Sequence, residues 1–272
     1  MPDVRFEASE PEEALTGGNM QAVVRVGGTV RRIAGPWTPA VHALLDVLKA
    51  GGVAEAPRPL GLDEFGREVL TYLPGAVLDD VPAAERWSTS MLEQAGALLR
   101  RVHDASTALE LDDLTWRSPT REPVEVVCHN DFAPYNLLVR GDRLTGVIDF
   151  DFASPGPRVR DLAYLAYRIA PFAEDALDES ATTPDERLAR LRRLIEAYGI
   201  AYDTATVLRA AADRLVELAV FTDARAGETG RDDLPQHAAM YRRDAARLHR
   251  LVIAQGTGDP PQQQPAGGEC GA

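Results

Sequence analysis

Lysine is nearly absent from this chain. Lys49 is the only one in 272 residues, and every other basic side chain apart from histidine is arginine. A step that needs a fixed cation at a phosphate therefore falls to a planar guanidinium fork, not to a flexible ammonium. Cysteine is scarce as well: Cys128 and Cys270 cannot build a disulfide framework or a thiolate metal site. The five histidines are scattered, with no zinc-ligand spacing. No apolar run reaches the roughly 18 residues of a membrane span, and Met1-Pro2-Asp3-Val4-Arg5 lacks the basic-then-apolar pattern of a signal peptide. The sequence thus predicts a cytoplasmic protein with no membrane partner. Positive charge is also in deficit. Against 29 Lys and Arg stand 42 Asp and Glu, a net charge of -13, which disfavours a nucleic-acid partner because phosphate backbones attract positive surfaces. Cationic small molecules fit that charge better, although negative charge also serves solubility alone.

What is present reads as two lobes sharing a cleft, a division that this length allows. Residues 1–73 form a small β-rich lobe. In it Gln21 to Val26 and Thr29 to Ile33 are β-prone runs joined by the hairpin signal Gly27-Gly28. Thr38-Pro39 opens a helix whose Val41, Leu44, Leu45 and Leu48 recur at helical spacing until Gly51-Gly52 ends it. A strand follows over Glu68 to Leu73. Residues 74–255 form a larger, mainly helical lobe: a helix carrying Met91 to about Ser106, a central β segment, Leu162 to Ile169 capped by Asp161, and helices over Asp185 to Tyr198, Thr204 to Thr222 and His237 to Ala254. Residues 256–272, rich in Gly, Pro and Gln, read as a disordered tail. The fold class is α+β.

The chemistry concentrates at the centre. Cys128-His129-Asn130-Asp131-Phe132-Ala133-Pro134-Tyr135-Asn136 is followed by an apolar hairpin and then by Val147-Ile148-Asp149-Phe150-Asp151. A hairpin turning on Gly141-Asp142 sets Asn136 opposite Val147, so that Asp149 shares a face with Asn136. Diagonal neighbours of this kind are roughly 7–8 Å apart, near enough to converge on one cation. Carboxylate and amide oxygens are the hard ligands that Mg²⁺ prefers. Asp149 is either a buried carboxylate needing compensation in an apolar strand or an Asp at an open strand end. Asp131, in a loop that Pro134 keeps from becoming helix, is placed to accept or orient the proton of an attacking hydroxyl, unless it is a simple turn residue. His129 reads as a prop for that loop. His-x-Asp-x-x-x-x-Asn with an Asp 13 residues after the Asn is the catalytic-loop and metal-Asp arrangement of protein kinases.

These residues, with Gly146-Val147-Ile148-Asp149-Phe150-Asp151 and Asp161-Leu162-Ala163, resemble the aminoglycoside phosphotransferase family, which is similar in fold to protein kinases and choline kinases. The resemblance implies a two-lobed kinase-like fold, Mg²⁺ as cofactor, and transfer of the γ-phosphate of ATP or GTP to a hydroxyl of a small molecule. By position it implies Asp131 as catalytic base, Asn136 and Asp149 as Mg²⁺ ligands, and Asp161 as an anchor of the catalytic loop, with the helix cap as an equal reading. It further implies a phosphate loop at Gly17-Gly18-Asn19 and a phosphate-contacting Arg32, or Arg31, where the family has Lys. The hinge would lie at Leu70-Thr71-Tyr72-Leu73, with the backbone of Leu70, Tyr72 and Leu73 facing the purine. The Glu that usually pairs with that Lys falls at Val41, with His42 beside it as a substitute. Glu174, Asp175 and Asp178 belong to an acidic stretch suited to a cationic acceptor, or to a solvated loop. A nucleotide-binding or ligand-binding regulator is the alternative function, supported by the atypical first lobe. Monomer and homodimer both remain open.

Overall fold

The computed structural model describes residues 11–15, 23–176 and 182–256. Gly17, Gly18, Asn19, Asp178 and residues 257–272 therefore lie outside the described residues. The first sheet has the order β1-β2-β3-β5-β4, all antiparallel: β1 Glu13–Ala14, β2 Val23–Val26, β3 Thr29–Ile33, β4 Pro59–Leu62 and β5 Arg67–Thr71. Gly27 and Gly28 make the two-residue turn as expected; Val26 pairs with Thr29 and Val23 with Arg32. Between β3 and β4 runs α1, Thr38–Ala50, which buries Val41, Leu44, Leu45 and Leu48. Its N-cap is Trp37 rather than Thr38; the Thr38 hydroxyl instead accepts from the Gly35 N–H at 2.9 Å.

After β5 the chain passes to a second, three-stranded sheet of order β6-β8-β9, comprising β6 Ala76–Val77, β8 Leu137–Arg140 and β9 Arg143–Val147. A two-stranded ribbon, β7 Val126–Cys128 with β10 Ser154–Gly156, brackets the central loop. Around these lie α2 Ala83–Arg86, α3 Thr89–Ser106, α4 Arg158–Ile169, α5 Pro184–Tyr198, α6 Thr204–Thr229 and α7 Leu234–Gly256. Ser88 caps α3 through its side chain. Thr183 and Glu186 close a capping box on α5, with Pro184 at the start, so Glu186 and Asp185 serve a helix N-terminus. Leu92, Leu98 and Leu99 of α3, Leu162 and Leu165 of α4 and Leu191 and Leu194 of α5 share one apolar core with α1. Among the described residues no helix is long and apolar enough to cross a membrane.

Two local expectations fail in instructive ways. Gly141 does take φ 60°, the left-handed value that the first position of a type II′ turn requires. A bulge between Leu138 and Val139 then slips the register, so Leu137, not Asn136, pairs with Val147. Asp161 does not cap α4 either: the helix starts three residues earlier, at Arg158, and Asp161 lies within its first turn, fully buried.

Candidate active site

Asp161 is the organising charge of the central loop. It is 0% exposed, and its oxygens accept the backbone N–H of His129 at 2.6 Å, that of Asn130 at 2.8 Å and a bond from His103 Nε2 at 3.0 Å. Burial pushes its pKa up, but the His103 bond, the charges and the backbone donors together hold it below the usual carboxylate value. His103 reaches on to the Tyr198 hydroxyl at 2.8 Å. Cys128 Sγ lies in the same buried group as His103 and Asp161, yet burial raises its pKa well above the usual thiol value, and its sulfur faces the Pro157 carbonyl. This is a hydrogen-bonded support, not a thiolate site.

With both flanking N–H groups fixed on one carboxylate, Asn130 adopts φ 63°, a conformation that Asn tolerates better than most residues. Its side chain closes the turn, donating to Phe152 O and Ser154 Oγ, both at 2.8 Å. The next residue, Asp131, is thereby turned into the cleft. His129 Nδ1 accepts the Asp131 N–H at 3.2 Å, which leaves Nε2 as the donor to Ile148 O at 3.0 Å. Its ring therefore ties the loop to the segment carrying Asp149.

The Asp131 carboxylate accepts from the Tyr135 hydroxyl on one oxygen and from Asn136 Nδ2 at 3.0 Å on the other. Burial raises its pKa above the ordinary carboxylate value, and the Tyr135 bond only partly offsets that. Asn136 closes a 3₁₀ turn, Pro134–Asn136, and its Nδ2 also reaches the Asp131 carbonyl at 2.9 Å. Because both amide donors face Asp131, the amide oxygen is directed the other way. Asp149 lies two residues beyond the end of β9 at φ 65°, with its side chain 44% exposed. Of the two readings of Asp149, the open strand end is therefore the correct one; it is not buried in an apolar strand. The slipped register does no harm, because both Asn136 and Asp149 lie past the paired residues, and Asn136 O receives the Ile148 N–H at 2.9 Å.

Arg32 enters the site from β3. Its Nε bonds Glu68, Nη1 reaches Asp149 at 3.0 Å and Nη2 reaches Asp151 at 2.6 Å. Burial alone would lower its pKa, but the three carboxylates outweigh that and raise it. Arg31 points away, toward Asp63 at 3.8 Å. The position of the family's helical Glu is indeed apolar: Val41 is 0% exposed in the core. The carboxylate partner comes from elsewhere, from Glu68 directly across the sheet from Arg32. His42 does not pair with Arg32; it bonds the other Glu68 oxygen at 2.9 Å. Sequence reasoning missed Glu68, although a charged residue inside a strand beside Val69 and Leu70 was the available signal.

Asp131, Asn136, Asp149, Asp151 and Arg32 line one cavity of about 440 Å³. Asp175 lines it too and is held by Arg168 at 3.1 Å. Glu174 does not line it, being engaged by Arg243 on the surface. Leu70, Tyr72 and Leu73 are likewise outside its lining, and the Tyr72 N–H is already spent on Gly28 O at 2.9 Å. A second cavity of about 470 Å³ shares Asp131, Tyr135, Tyr164 and Arg117 with the first and extends toward α6.

A β-rich lobe over a helical one, joined by an Asp, an Asn and a second Asp around one cleft, is the architecture of phosphotransferases with a protein-kinase-like fold. The phosphotransferase enzyme family (APH) matches residues 14–124 and 108–211. A trifolitoxin immunity protein of Rhizobium leguminosarum bv. trifolii is 34% identical over 198 residues, covering 70% of this chain and 74% of that protein. The chain belongs to the phosphotransferase enzyme family. Solved structures agree on the fold. A choline/ethanolamine kinase family protein from Mesorhizobium loti superposes with a TM-score of 0.63 at 19% identity, covering 92% of this chain and 94% of that one. A spectinomycin phosphotransferase in complex with ADP and spectinomycin gives a TM-score of 0.54 at 13% identity, covering 90% and 93%.

Proposed function

We propose that the protein moves the γ-phosphate of ATP or GTP to a hydroxyl of a small molecule, with Asp131 as the base and Asn136 and Asp149 as the Mg²⁺ ligands. The observation that carries this reading is the convergence of the three side chains on one cavity, with Asn136 hydrogen-bonded to Asp131 itself. Asp131 is held by Tyr135 and Asn136 so that it can orient the acceptor hydroxyl and take its proton as the phosphate bond forms. Its raised pKa brings it nearer to the working pH of a general base.

The donor set suits Mg²⁺. Among the described residues no hydrogen bond occupies Asn136 Oδ1 or Asp149 Oδ2, and both are hard oxygens beside the cleft. When bound, Mg²⁺ supplies neutralisation of the phosphate oxygens. Arg32, with its planar fork beside Asp149, takes the cationic role on the nucleotide side. His129 and Asp161 act as positioning residues that fix the loop. In this reading residues 1–73 supply the nucleotide side, residues 74–255 the catalytic groups and acceptor site, and the reaction runs in the cytoplasm, where nucleotide and Mg²⁺ are available.

The test is Mg²⁺-dependent ADP release by the purified protein across a panel of hydroxylated compounds. Asp131→Ala is expected to lose roughly 10²–10⁴ in turnover while binding nucleotide as before; equal turnover removes Asp131 from the mechanism. Asp149→Ala is expected to abolish Mg²⁺-dependent nucleotide binding in calorimetric titration, and an unchanged isotherm removes it from the metal site. Tight nucleotide binding without ADP release from any compound would favour a binding protein that has kept the fold.

A further inference from the structure

Adjoining Asp131, the second cavity has a charge opposite to that of the chain. Five arginines line it, Arg117, Arg121, Arg160, Arg214 and Arg225, against three carboxylates, Asp131, Glu217 and Glu228, a difference of two positive charges in a protein of net charge -13. The excess is concentrated at Glu217. Its carboxylate receives Arg121 at 2.8 Å and Arg160 at 2.7 Å, with Arg214 at 3.5 Å. Three guanidiniums thus share one carboxylate. The crowding shows on both sides: burial would raise the Glu217 pKa, but the Arg121 and Arg160 bonds bring it down to about 2, while burial and then the Arg160 charge lower that of Arg214.

Arg214 is the least satisfied of the three. One guanidinium nitrogen donates to the Asn130 carbonyl at 3.0 Å, but its buried Nε has no hydrogen-bond partner among the described residues. A buried cation without full compensation is costly, and a guanidinium edge is shaped to take two oxygens of an oxyanion. Phe152, Leu218 and Phe221 line the same cavity and provide an apolar wall for a short carbon chain.

We infer that the acceptor carries an oxyanion, a carboxylate or a phosphate ester, besides its hydroxyl, and that Arg214, with Arg121 beside it, reads that group while the hydroxyl faces Asp131. This rests on the phosphotransferase reading above and names the substrate class of the same site. It replaces the cationic acceptor suggested by the overall charge. The competing account of these arginines is structural: Arg160 Nε and Arg214 both bond Asn130, the residue before Asp131, and so brace the loop.

The experiment compares matched acceptors that differ in charge. L-Homoserine, 4-hydroxybutyrate and glycerol 3-phosphate are set against the uncharged 4-hydroxybutyramide and glycerol, and against the cations ethanolamine and kanamycin. Mg²⁺-dependent ADP release and thermal shift are both read. At least one oxyanion compound is expected to stimulate ADP release, and the hydroxy acids and the phosphate ester tell carboxylate from phosphate recognition. Arg214→Gln is expected to raise KM for that compound about 10–100-fold, as the loss of a charge-assisted hydrogen bond does, with KM for nucleotide unmoved and partial recovery in Arg214→Lys. Arg121→Gln, at the other guanidinium on the same Glu217 oxygen, is expected to act in the same direction and serves if Arg214→Gln does not fold. Preference for an uncharged or cationic acceptor overturns the inference while leaving phosphoryl transfer intact. So does a uniform fall in kcat with every acceptor, which is the signature of a brace. If no compound is phosphorylated, a thermal shift by the oxyanions that is lost in Arg214→Gln keeps the anion site and sinks the transfer reading; no shift sinks the inference.

Discussion

Asp131 shows what a desolvated carboxylate does to the protein that holds it. Its folded-state pKa is raised, by burial above all, so the folded protein holds a proton that the unfolded chain has already lost between the ordinary carboxylate range and the raised value. Stability therefore falls as pH rises through that window, and at neutral pH the ionised side chain is destabilising. Asp131→Asn removes the charge and keeps the shape. Its amide oxygen can accept from Asn136 Nδ2, and the Tyr135 hydroxyl can turn to Tyr164, 2.8 Å away. The Asn variant is expected to melt at or above the temperature of the unsubstituted protein near pH 7 and to lose that advantage toward pH 4. A melt several degrees lower at pH 7 would show that the bonds to Asp131 matter more than its burial. At this scale the sequence was informative where spacing brings residues together, as for Asp131, Asn136 and Asp149, which line one cavity. It did not show the partners of Glu68, Asp151 and Arg214, because these lie 36, 119 and 84 residues distant, at Arg32 and Asn130, and leave no local pattern.

Elements here are set by short-range signals and corrected by packing. Helical periodicity and caps place α3 and α5 within a residue or two of expectation. β7 and β10 were not anticipated as a pair, since each is three residues long and exists only because the other brackets the loop. The bulge in the β8–β9 hairpin is equally invisible locally. Gly96 illustrates how helices are positioned. A Cβ built there would lie 3.1 Å from Leu194 Cδ1 and 3.2 Å from both Ala197 Cβ and the Leu194 carbonyl on α5. The two helices approach closely because this position has no side chain. Gly96→Leu is expected to destabilise the fold by about 1–3 kcal/mol through overpacking, read as a lower urea midpoint with an unchanged slope. An unchanged midpoint would mean that α5 can move aside freely.

For the whole molecule the decisive contact is Arg32, which Glu68 holds within the first sheet and which ties that sheet to the residues after β9 through Asp149 and Asp151. Arg32→Met would leave Glu68, 1% exposed, without its guanidinium and is expected to lose about 3–5 kcal/mol in denaturant unfolding. Arg32→Lys keeps the charge but not the three-way fork, so it should fold and bind nucleotide more weakly. If Arg32→Met unfolds at the same denaturant concentration as the unsubstituted protein, the contacts of Arg32 with the three carboxylates do not stabilise the fold. The sequence by itself determined the spacing of Asp131, Asn136 and Asp149, the main helices and the reliance on arginine, because each is written in spacing, periodicity or composition over short stretches of chain. Only the tertiary structure decided which carboxylate pairs with Arg32, that Asp149 stands open at a strand end, that Asp161 is an anchor within its helix, and that an acidic chain gathers arginines beside Asp131. Those outcomes depend on which distant segments share a low-dielectric space, where the cost of an unpaired charge selects its partner.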